Sequence, residues 1–253
     1  MEANVYQQFL ALERDHWWFR GRRKVYLDVL DATVGPGDRG LALDLGCGLG
    51  GFLQPLEDLG YEVYAADMDS ESLVHCAERG FTTATEVDCY RLPYPDESFD
   101  LVTLYDVIEH IEDDYRAMAE VARVLKPGGR VMISVPAYQF LYANNDKAAQ
   151  HFRRYSRRRV ESVFASAGLA TERNTHANVL LFPVILPIVL LSKGLEKLFL
   201  RERESDHTNL SWPMPGFMHT LLFRIFSAEL WVSRTRDIPL GHSIAAIAHK
   251  PCA

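Results

Sequence analysis

The stretch from residue 41 to 52, LALDLGCGLGGF, restricts the fold more than any other part of the chain. The apolar residues 41–43 and the Asp44 that follows them predict a short buried strand, and the glycines predict a tight turn into a helix. Such a turn needs left-handed backbone angles and lets a ligand approach the main chain closely. The helix behind it directs free N–H groups at that ligand. The stretch therefore predicts a binding site in an α/β protein.

The glycine spacing is compatible with two classes of ligand. Gly46, Gly48 and Gly51 match the G-x-G-x-x-G pattern of dinucleotide-binding proteins, which is weak when it stands alone. Asp44, taken with Gly46, Gly48 and Gly50, matches D-x-G-x-G-x-G instead. The turn by itself leaves both ligands open, together with a glycine turn that binds nothing.

Predicted strands and helices alternate after this turn. We predict helices over 52–59, 70–79, 113–125 and 157–167, and strands over 61–66, 82–87, 101–105, 130–135, 170–176 and 243–249. A further helix is predicted over 5–32, before the first strand. This alternation implies a parallel sheet that is covered on both faces. Asp67 ends the second strand, where an acid can accept hydrogen bonds from both ribose hydroxyls of a nucleoside.

Composition narrows the function classes. A net charge of -7 over 253 residues argues against general nucleic-acid binding. The four cysteines show no C-x-x-C spacing, so neither a disulfide framework nor a cysteine zinc site is indicated. The first residues lack the pattern of a signal peptide, and we expect a cytoplasmic protein. The apolar run over 179–191 is shorter than the roughly 20 residues of a spanning helix, so we expect a buried, interfacial or substrate-covering element, with peripheral membrane contact as one role.

Four segments between residues 40 and 136 carry a family resemblance: LDLGCGLGGF, VYAADMDSESL, VDCYRLPYPDESFDLVTLYDVIEH and LKPGGRVMISVP. In this order and spacing the chain resembles the class I S-adenosylmethionine-dependent methyltransferases of the type 11/12 group. The final GHSIAAIAHKP resembles the family's antiparallel last strand. The resemblance implies a Rossmann-like fold with a mostly parallel seven-stranded sheet, helices on both faces, and a helical insert before the last strand.

The same resemblance divides the chain into four parts. Residues 1–34 would form an N-terminal helical cap, and residues 35–178 the S-adenosylmethionine-binding core. Residues 179–240 would form a helical insert at the acceptor site or at a membrane interface, with a second amphipathic helix over about 217–232. Residues 241–253 would then add the last strand of the core.

The resemblance also implies a set of cofactor-binding residues, for S-adenosylmethionine as donor and S-adenosylhomocysteine as product. Gly46 and Gly48 would face the methionine part of the cofactor, with Asp44 near its amino group, and Asp67 would hold the ribose. Tyr105 would flank the methyl group together with Asp106. The full set is Asp44, Gly46, Cys47, Gly48, Gly50, Asp67, Met68, Asp88, Cys89 and Tyr105, where Asp88 and Cys89 lie by the adenine.

Candidates for a catalytic base lie just after the fourth strand. Methyl transfer from a sulfonium depends mainly on alignment, but a hydroxyl acceptor also benefits from a base. Asp106, Glu109 and His110 are the nearest side chains that can accept a proton. Their D-x-x-E-H pattern resembles the metal-binding E-x-x-E-H of some ubiquinone-pathway and RNA-end O-methyltransferases, with a departure at Asp106. We expect no metal site here, and magnesium is the ion to test.

Two arginine-bearing segments and a long loop indicate the chemical class of the methyl acceptor. HWWFRGRR lies near the start of the chain and HFRRYS near the end of a predicted loop over 137–155. Arginines suit phosphate and an apolar cover suits a lipid tail, so we expect a small or lipid-like acceptor, and specifically an anionic amphiphile. The alternative is that the aromatics pack in the core and the arginines are solvated. The candidate acceptor residues are Trp18, Arg22, Tyr138, Tyr142, His151, Arg153, Arg154 and Tyr155.

Two other functions remain open at this point. One is a nicotinamide-dependent oxidoreductase, against which the Asp44 pattern and the L-K-P-G-G segment argue. The other is a protein that binds the cofactor without catalysis, against which the intact glycine turn and Asp67 argue. The sequence predicts no oligomeric state.

Overall fold

The computed structural model describes residues 12–13, 15–37, 39–199 and 214–252, with side chains of 195–199 excluded. Its centre is a seven-stranded sheet in the order β3-β2-β1-β4-β5-β7-β6. The strands are β1 (Leu41–Leu45), β2 (Glu62–Asp67), β3 (Thr85–Glu86), β4 (Phe99–Tyr105), β5 (Leu125–Pro136), β6 (Ala170–Ala177) and β7 (Ser243–His249).

Pairing is parallel from β3 through β5, and β7 runs antiparallel to both β5 and β6. The mostly parallel sheet and the antiparallel last strand are therefore confirmed. The predicted third strand, over 82–87, contracts to two residues at the sheet edge. Thr83 explains part of the difference, because its hydroxyl, rather than its backbone, bonds to the carbonyl of Val63 at 3.0 Å.

Two apolar clusters cover the two faces of the sheet. One holds α4 (Asp114–Val124) and α6 (Arg157–Ser166), and the other holds α1 (Trp17–Val34), α2 (Leu53–Asp58) and α3 (Ser70–Glu78). Strand residues alternate between the clusters: Leu101 joins the second and Val102 the first. Because side chains of a strand alternate in this way, one apolar strand supplies both cores.

The N-terminal helix differs from the prediction. A single helix was expected over 5–32, and residues 1–11 lie outside the described ranges. Within those ranges α1 begins at Trp17, because His16 has an extended backbone and its Nδ1 accepts the N–H of Trp18 at 3.3 Å. A side chain that caps the first turn in this way fixes where a helix starts.

The loop predicted over 137–155 contains short helical elements. These are a 3₁₀ turn at Gln139–Leu141 and α5 (Asn144–Ala148). Asp146 organises them, since its carboxylate accepts hydrogen bonds from the backbone N–H of Ala143 at 2.8 Å and from Nε of Arg154 at 2.7 Å. A buried acid with several donors replaces the irregular loop that the sequence suggested.

Between β6 and β7 lie α7 (Phe182–Phe199), α8 (Gly216–Ala228) and α9 (Leu230–Ser233). The amphipathic helix predicted over 217–232 is interrupted at Glu229, whose carboxylate accepts the backbone N–H groups of Asn178 and Val179, each at 2.8 Å. In the sheet, Ala177 and Ser243 are direct partners, so the chain leaves and re-enters the sheet at one point.

The apolar run becomes the first part of α7, with Pro187 inside the helix. Leu181 and Phe182 are buried at its start, whereas Val184 and Ile188 are 60% and 62% exposed. Phe226 of α8 is fully buried against α1, where Gly21 leaves room for its ring. None of the helices in the described ranges combines the length and the apolar character that a membrane crossing requires.

Candidate functional site

The strand order locates the site before any side chain is considered. The order reverses between β1 and β4, and ligands of open α/β sheets bind in the crevice beyond the carboxyl ends of the strands at such a point. The glycine turn follows β1 there, and Asp106 follows β4. The sequence-predicted cofactor and catalytic residues therefore meet at one edge of the sheet.

The glycine turn is held against β2. The N–H groups of Gly46 and Cys47 both donate to the carbonyl of Ala66, at 2.7 and 3.0 Å. Gly46 and Gly50 have positive φ, and a Cβ at either position would overlap a neighbouring side chain, Val107 in the first case and Leu53 in the second. Close packing of the protein on itself therefore requires these two glycines.

Gly48 differs from them. Its φ is +51°, yet a Cβ built on it would meet no atom of the described residues within 4 Å. A left-handed residue with open space beside it is the geometry that lets a ligand lie on the backbone. Of the three glycines with positive φ in the turn, Gly48 is thus the one whose free space is not explained by packing.

Asp67 fixes Gly48 from the next strand. Its Oδ2 accepts the N–H of Gly48 at 2.8 Å and its Oδ1 accepts the N–H of Asp69 at 3.0 Å. Burial raises the pKa of this carboxyl, and these backbone N–H groups oppose the rise. Each oxygen keeps a further lone pair for a hydroxyl donor. Met68 beside it is 82% exposed.

Asp44 lies beneath the turn and is 2% exposed. Thr103 of β4 donates its hydroxyl to the Asp44 carboxylate at 2.6 Å. Burial raises the pKa of Asp44 to about 7, although the Thr103 hydrogen bond works in the opposite direction. A cationic group placed beside it would favour the charged carboxylate.

Asp88 and Cys89 extend this edge. Val87 donates its N–H to the carbonyl of Asp67 at 2.9 Å, which brings the segment after β3 next to the acid of β2. Asp88 is exposed and accepts the N–H of Tyr90 at 2.8 Å. Cys89 is half-buried, and burial raises the pKa of its thiol to about 11. The other cofactor candidate with a thiol, Cys47, faces the interior, 4.0 Å from Sγ of Cys76.

Tyr105 points away from the open side of the edge. Its ring stacks on Phe52 with 3.8 Å between centroids, and its hydroxyl lies 3.6 Å from Sδ of Met132 in the buried cluster under α1. The ring is 6% exposed, so within the protein it supports the residues around it. A direct contact of Tyr105 with a methyl group stays a prediction that this orientation does not favour.

Asp106 is already paired. It forms a short ion pair with Arg22 of α1, and Oδ1 accepts the hydroxyl of Ser134 at 2.9 Å. Its φ of +56° directs the chain out of β4 into the 3₁₀ turn Ile108–His110. The charge of Arg22 is therefore paired inside the protein, which weakens the prediction that Arg22 binds an anionic group of the acceptor.

Glu109 and His110 do not open a solvated loop. Glu109 is 1% exposed, and burial raises the pKa of its carboxyl well above the usual range. Burial, together with the nearby His151, lowers the pKa of His110 to about 4. His110 is therefore neutral at pH 7, which leaves a lone pair on one ring nitrogen.

Other predicted acceptor residues have internal partners. Arg153 donates to the carbonyls of Ile111 and Glu112, at 2.7 and 2.6 Å. Arg154 is 9% exposed and bonds to Asp146. These arginines do not form one free basic patch with the N-terminal segment, because each charge is met by oxygen atoms of the protein.

Tyr155 is fully buried, and its hydroxyl bonds to Asp114 at 2.8 Å and to the carbonyl of Ile108 at 3.0 Å. An acceptor cannot reach it, so its role is structural. Tyr142 donates its hydroxyl to the carbonyl of His151 at 2.7 Å.

Trp18 and Tyr138 are half-buried and pack against the helices between β6 and β7. The ring of Trp18 lies 5.8 Å from that of Phe226, and the ring of Tyr138 stacks on Phe182 at 5.6 Å. Both residues therefore have packing partners, and contact with an acceptor stays a prediction.

Sequence reasoning missed three polar residues that shape the site: Thr103, Ser134 and Asp146. Thr103 and Ser134 are polar positions in otherwise apolar strands, and that interruption was the available signal. The role of Asp146 could not be predicted from neighbouring residues, because its side-chain partners come close to it only in the folded chain.

The strand order, with β7 antiparallel between β5 and β6, is that of the Rossmann-like class I methyltransferase fold. Residues 43–133 match the family model described as a methyltransferase domain.

The curated relatives that the chain resembles are named as methyltransferases. A probable S-adenosylmethionine-dependent methyltransferase of Mycolicibacterium smegmatis is 31% identical over 127 residues, which cover 50% of this chain and 48% of the relative. A demethylmenaquinone methyltransferase of Paenarthrobacter aurescens is 30% identical over 146 residues, covering 55% and 54%. The chain therefore spans about half the length of these curated relatives.

Among solved structures, phosphoethanolamine N-methyltransferase 2 of Haemonchus contortus, in complex with phosphomonomethylethanolamine and S-adenosylhomocysteine, aligns with a TM-score of 0.61. The alignment covers 98% of this chain and 58% of the other, at 19% identity. At this identity the likeness shows the fold, and the named acceptors of these proteins differ in chemistry.

Proposed function

We propose that this protein transfers the methyl group of S-adenosylmethionine to a small or lipid-like acceptor. The observation that carries the proposal is the open, left-handed Gly48 beside Asp67 at the point where the strand order reverses. Packing explains the other glycines of the turn with positive φ, whereas the open space beside Gly48 leaves room for a ligand on the backbone at this point of the sheet.

The donor set fits the proposed cofactor. Asp67 offers carboxylate oxygens to the ribose hydroxyls, and Asp88 offers an exposed carboxylate to the adenine amino group. Asp44 can pair with the cofactor's ammonium, which would favour the charged form of this buried acid. The bound cofactor supplies an electrophilic methyl group on a sulfonium, and the chain's task is to align it with the acceptor.

On the acceptor side, Asp106, Glu109 and His110 are proposed to act next to the reacting atoms. Asp106 is held by Arg22 and Ser134, so it is the least free to move a proton. His110 is neutral and can accept a proton or coordinate a cation.

The acceptor is proposed to be apolar over part of its surface. Val184, Ile188 and Leu191 of α7 are 60%, 62% and 66% exposed, and Trp231 of α9 is 87% exposed. Such a surface suits a lipid-like acceptor or peripheral contact with a membrane. The anionic part of the original hypothesis has less support, because the arginines expected to bind a phosphate are paired within the protein.

Calorimetry with S-adenosylhomocysteine tests the cofactor site. Asp67→Ala should weaken binding by about 1.5–3 kcal/mol, or roughly 10- to 150-fold, because hydrogen bonds to a charged group are lost. Asp31→Ala is the matched control, since Asp31 pairs with Arg39 before β1, at the opposite edge. Equal affinities in the two variants, or binding of NADH in place of S-adenosylhomocysteine, would contradict the proposal.

Methyl transfer itself needs an acceptor. Incubating the protein with fractionated cell extract and labelled S-adenosylmethionine, followed by mass spectrometry of the labelled product, would identify it. A protein that binds the cofactor but labels no small molecule or lipid in any fraction would be a binding protein instead of an enzyme.

A further inference from the structure

Glu109, His110 and His151 come together although 42 positions separate the first from the last. Each offers one ligand atom, and these three atoms lie within 4.8 Å of one another. The segments are joined by a backbone hydrogen bond from Phe152 to the carbonyl of Glu109, at 2.8 Å. The two imidazole rings stand edge to face, with 4.6 Å between centroids.

Glu109 has an unsatisfied atom in this cluster. Its side chain is 1% exposed, and among the described residues Oε2 has no hydrogen-bond partner. A buried carboxyl oxygen without a partner is costly, and such an atom in a folded protein calls for an explanation. A cation between the three side chains would satisfy it.

His151 is oriented as a ligand. Its Nδ1 lies 3.0 Å from Oδ1 of Asp146, and Asp146 is held in turn by Arg154. A carboxylate on one ring nitrogen fixes the proton there and leaves the lone pair on Nε2, as in many protein metal sites.

We propose that Glu109, His110 and His151 bind one divalent transition-metal ion of the zinc class and leave a coordination position open for an oxygen atom of the acceptor. Two imidazoles and one carboxylate suit zinc, whereas magnesium prefers an all-oxygen shell. Asp106 does not belong to this group of three, and its carboxylate pairs with Arg22 and Ser134 instead. The ion and its ligands therefore differ from the magnesium considered for the D-x-x-E-H segment alone.

The role of the open position rests on the proposed function. A hydroxyl bound to the ion is more acidic than a free one. Loss of its proton to solvent, formation of the new oxygen–carbon bond and cleavage of the sulfur–carbon bond would give a methyl ether, S-adenosylhomocysteine and one proton. The structure thus points to a hydroxyl-bearing acceptor.

Metal binding can be measured without an acceptor. The full chain, freed of metal with a chelator, would be titrated with Zn²⁺ against a chromophoric chelator, and with Co²⁺ while the visible spectrum is recorded. We expect one ion per chain and the absorption of four-coordinate Co²⁺. Millimolar Mg²⁺ should not displace the ion.

The variants separate this site from other histidines. His151→Ala and His110→Ala should each weaken Zn²⁺ binding at least tenfold, and His75→Ala is the control because His75 lies on α3 beside Glu78. Circular dichroism verifies that each variant is folded. Because the His151 side chain is 17% exposed, we expect His151→Ala to disturb the fold less than His110→Ala does. The inference would be overturned if the parent protein bound no Zn²⁺, or if His151→Ala bound Zn²⁺ as tightly as the parent does.

The two proposals fail separately. S-adenosylhomocysteine binding is measured in chelator on the same samples. If it is lost while one Zn²⁺ still binds through His151, the proposed function is wrong and the ion site stands. If S-adenosylhomocysteine binds but Zn²⁺ does not, the ion site is wrong and the cofactor site stands.

Discussion

Replacing Gly48 by alanine tests whether the open space in the turn is cofactor space. Gly48 has a φ of +51°, and a Cβ there would meet nothing within 4 Å in the described residues. Gly168, just after α6, provides a matched control, since it has a φ of +73° and equally open surroundings. The two substitutions therefore impose the same kind of backbone strain at two different places.

The expected magnitudes follow from this match. A left-handed alanine costs about 1–2 kcal/mol, so each variant should lose a similar amount of stability. For a chain of this size the melting temperature then falls by roughly 2–4 °C for each kcal/mol. Only Gly48→Ala also places a methyl group where the cofactor would lie. Overpacking of this kind costs about 1–3 kcal/mol, or about 5- to 160-fold in affinity.

Thermal scanning and calorimetry with S-adenosylhomocysteine give both numbers on the same samples. The expected result is two similar losses of stability and a loss of affinity in Gly48→Ala alone. If Gly48→Ala binds the cofactor product as tightly as Gly168→Ala does, the space beside Gly48 is not where the ligand lies. Equal losses of affinity in both variants would mean that general destabilisation is responsible.

Three further predictions concern stability and are checked by urea unfolding of the ligand-free protein. Burial raises the pKa of Asp44 to about 7, so the protonated Asp44 stabilises the fold fully below pH 4, and this stabilisation is lost as the pH rises to 7. Over that pH range the free energy of unfolding of the parent should fall by roughly 4 kcal/mol relative to that of Asp44→Asn. Phe226→Ala should cost about 3–5 kcal/mol, because the buried ring fills the space between α8 and α1; a smaller loss would mean that α8 detaches easily. Tyr155→Phe should cost about 1.5–3 kcal/mol, because Asp114 loses a buried donor, and no change in unfolding would contradict that pairing.

The parts of the fold that depend on local pattern could be predicted. The glycine turn, the acid after β2 and the bounds of β7 follow from residues that are neighbours in sequence, because a turn or a strand imposes its requirement on a few consecutive positions. The helix break at His16 was missed for a related reason. Its cap depends on one side chain turning back to its own backbone, which periodicity does not report.

The side-chain partners could not be predicted in the same way. Arg22 and Asp106 lie 84 positions apart, and Arg159 and Asp114 lie 45 apart. Sequence shows that such arginines are clustered, but a charge pairs with whatever acid the fold brings near it. The same limit applies to His151, which joins Glu109 only because β4 and β5 are neighbours in the sheet.

The register between Ala177 and Ser243 has a consequence for how this protein can change. Because the two residues face each other across neighbouring strands, the sheet is complete whatever connects them. Doubling the length of a flexible connection costs only about 0.6 kcal/mol in closure entropy. Length can therefore change in the parts of this connection that do not pack on the core, whereas Phe226 and Glu229 hold α8 and the start of α9 in place. Under the proposed function, the cofactor site would then keep its geometry while those parts of the connection between β6 and β7 vary.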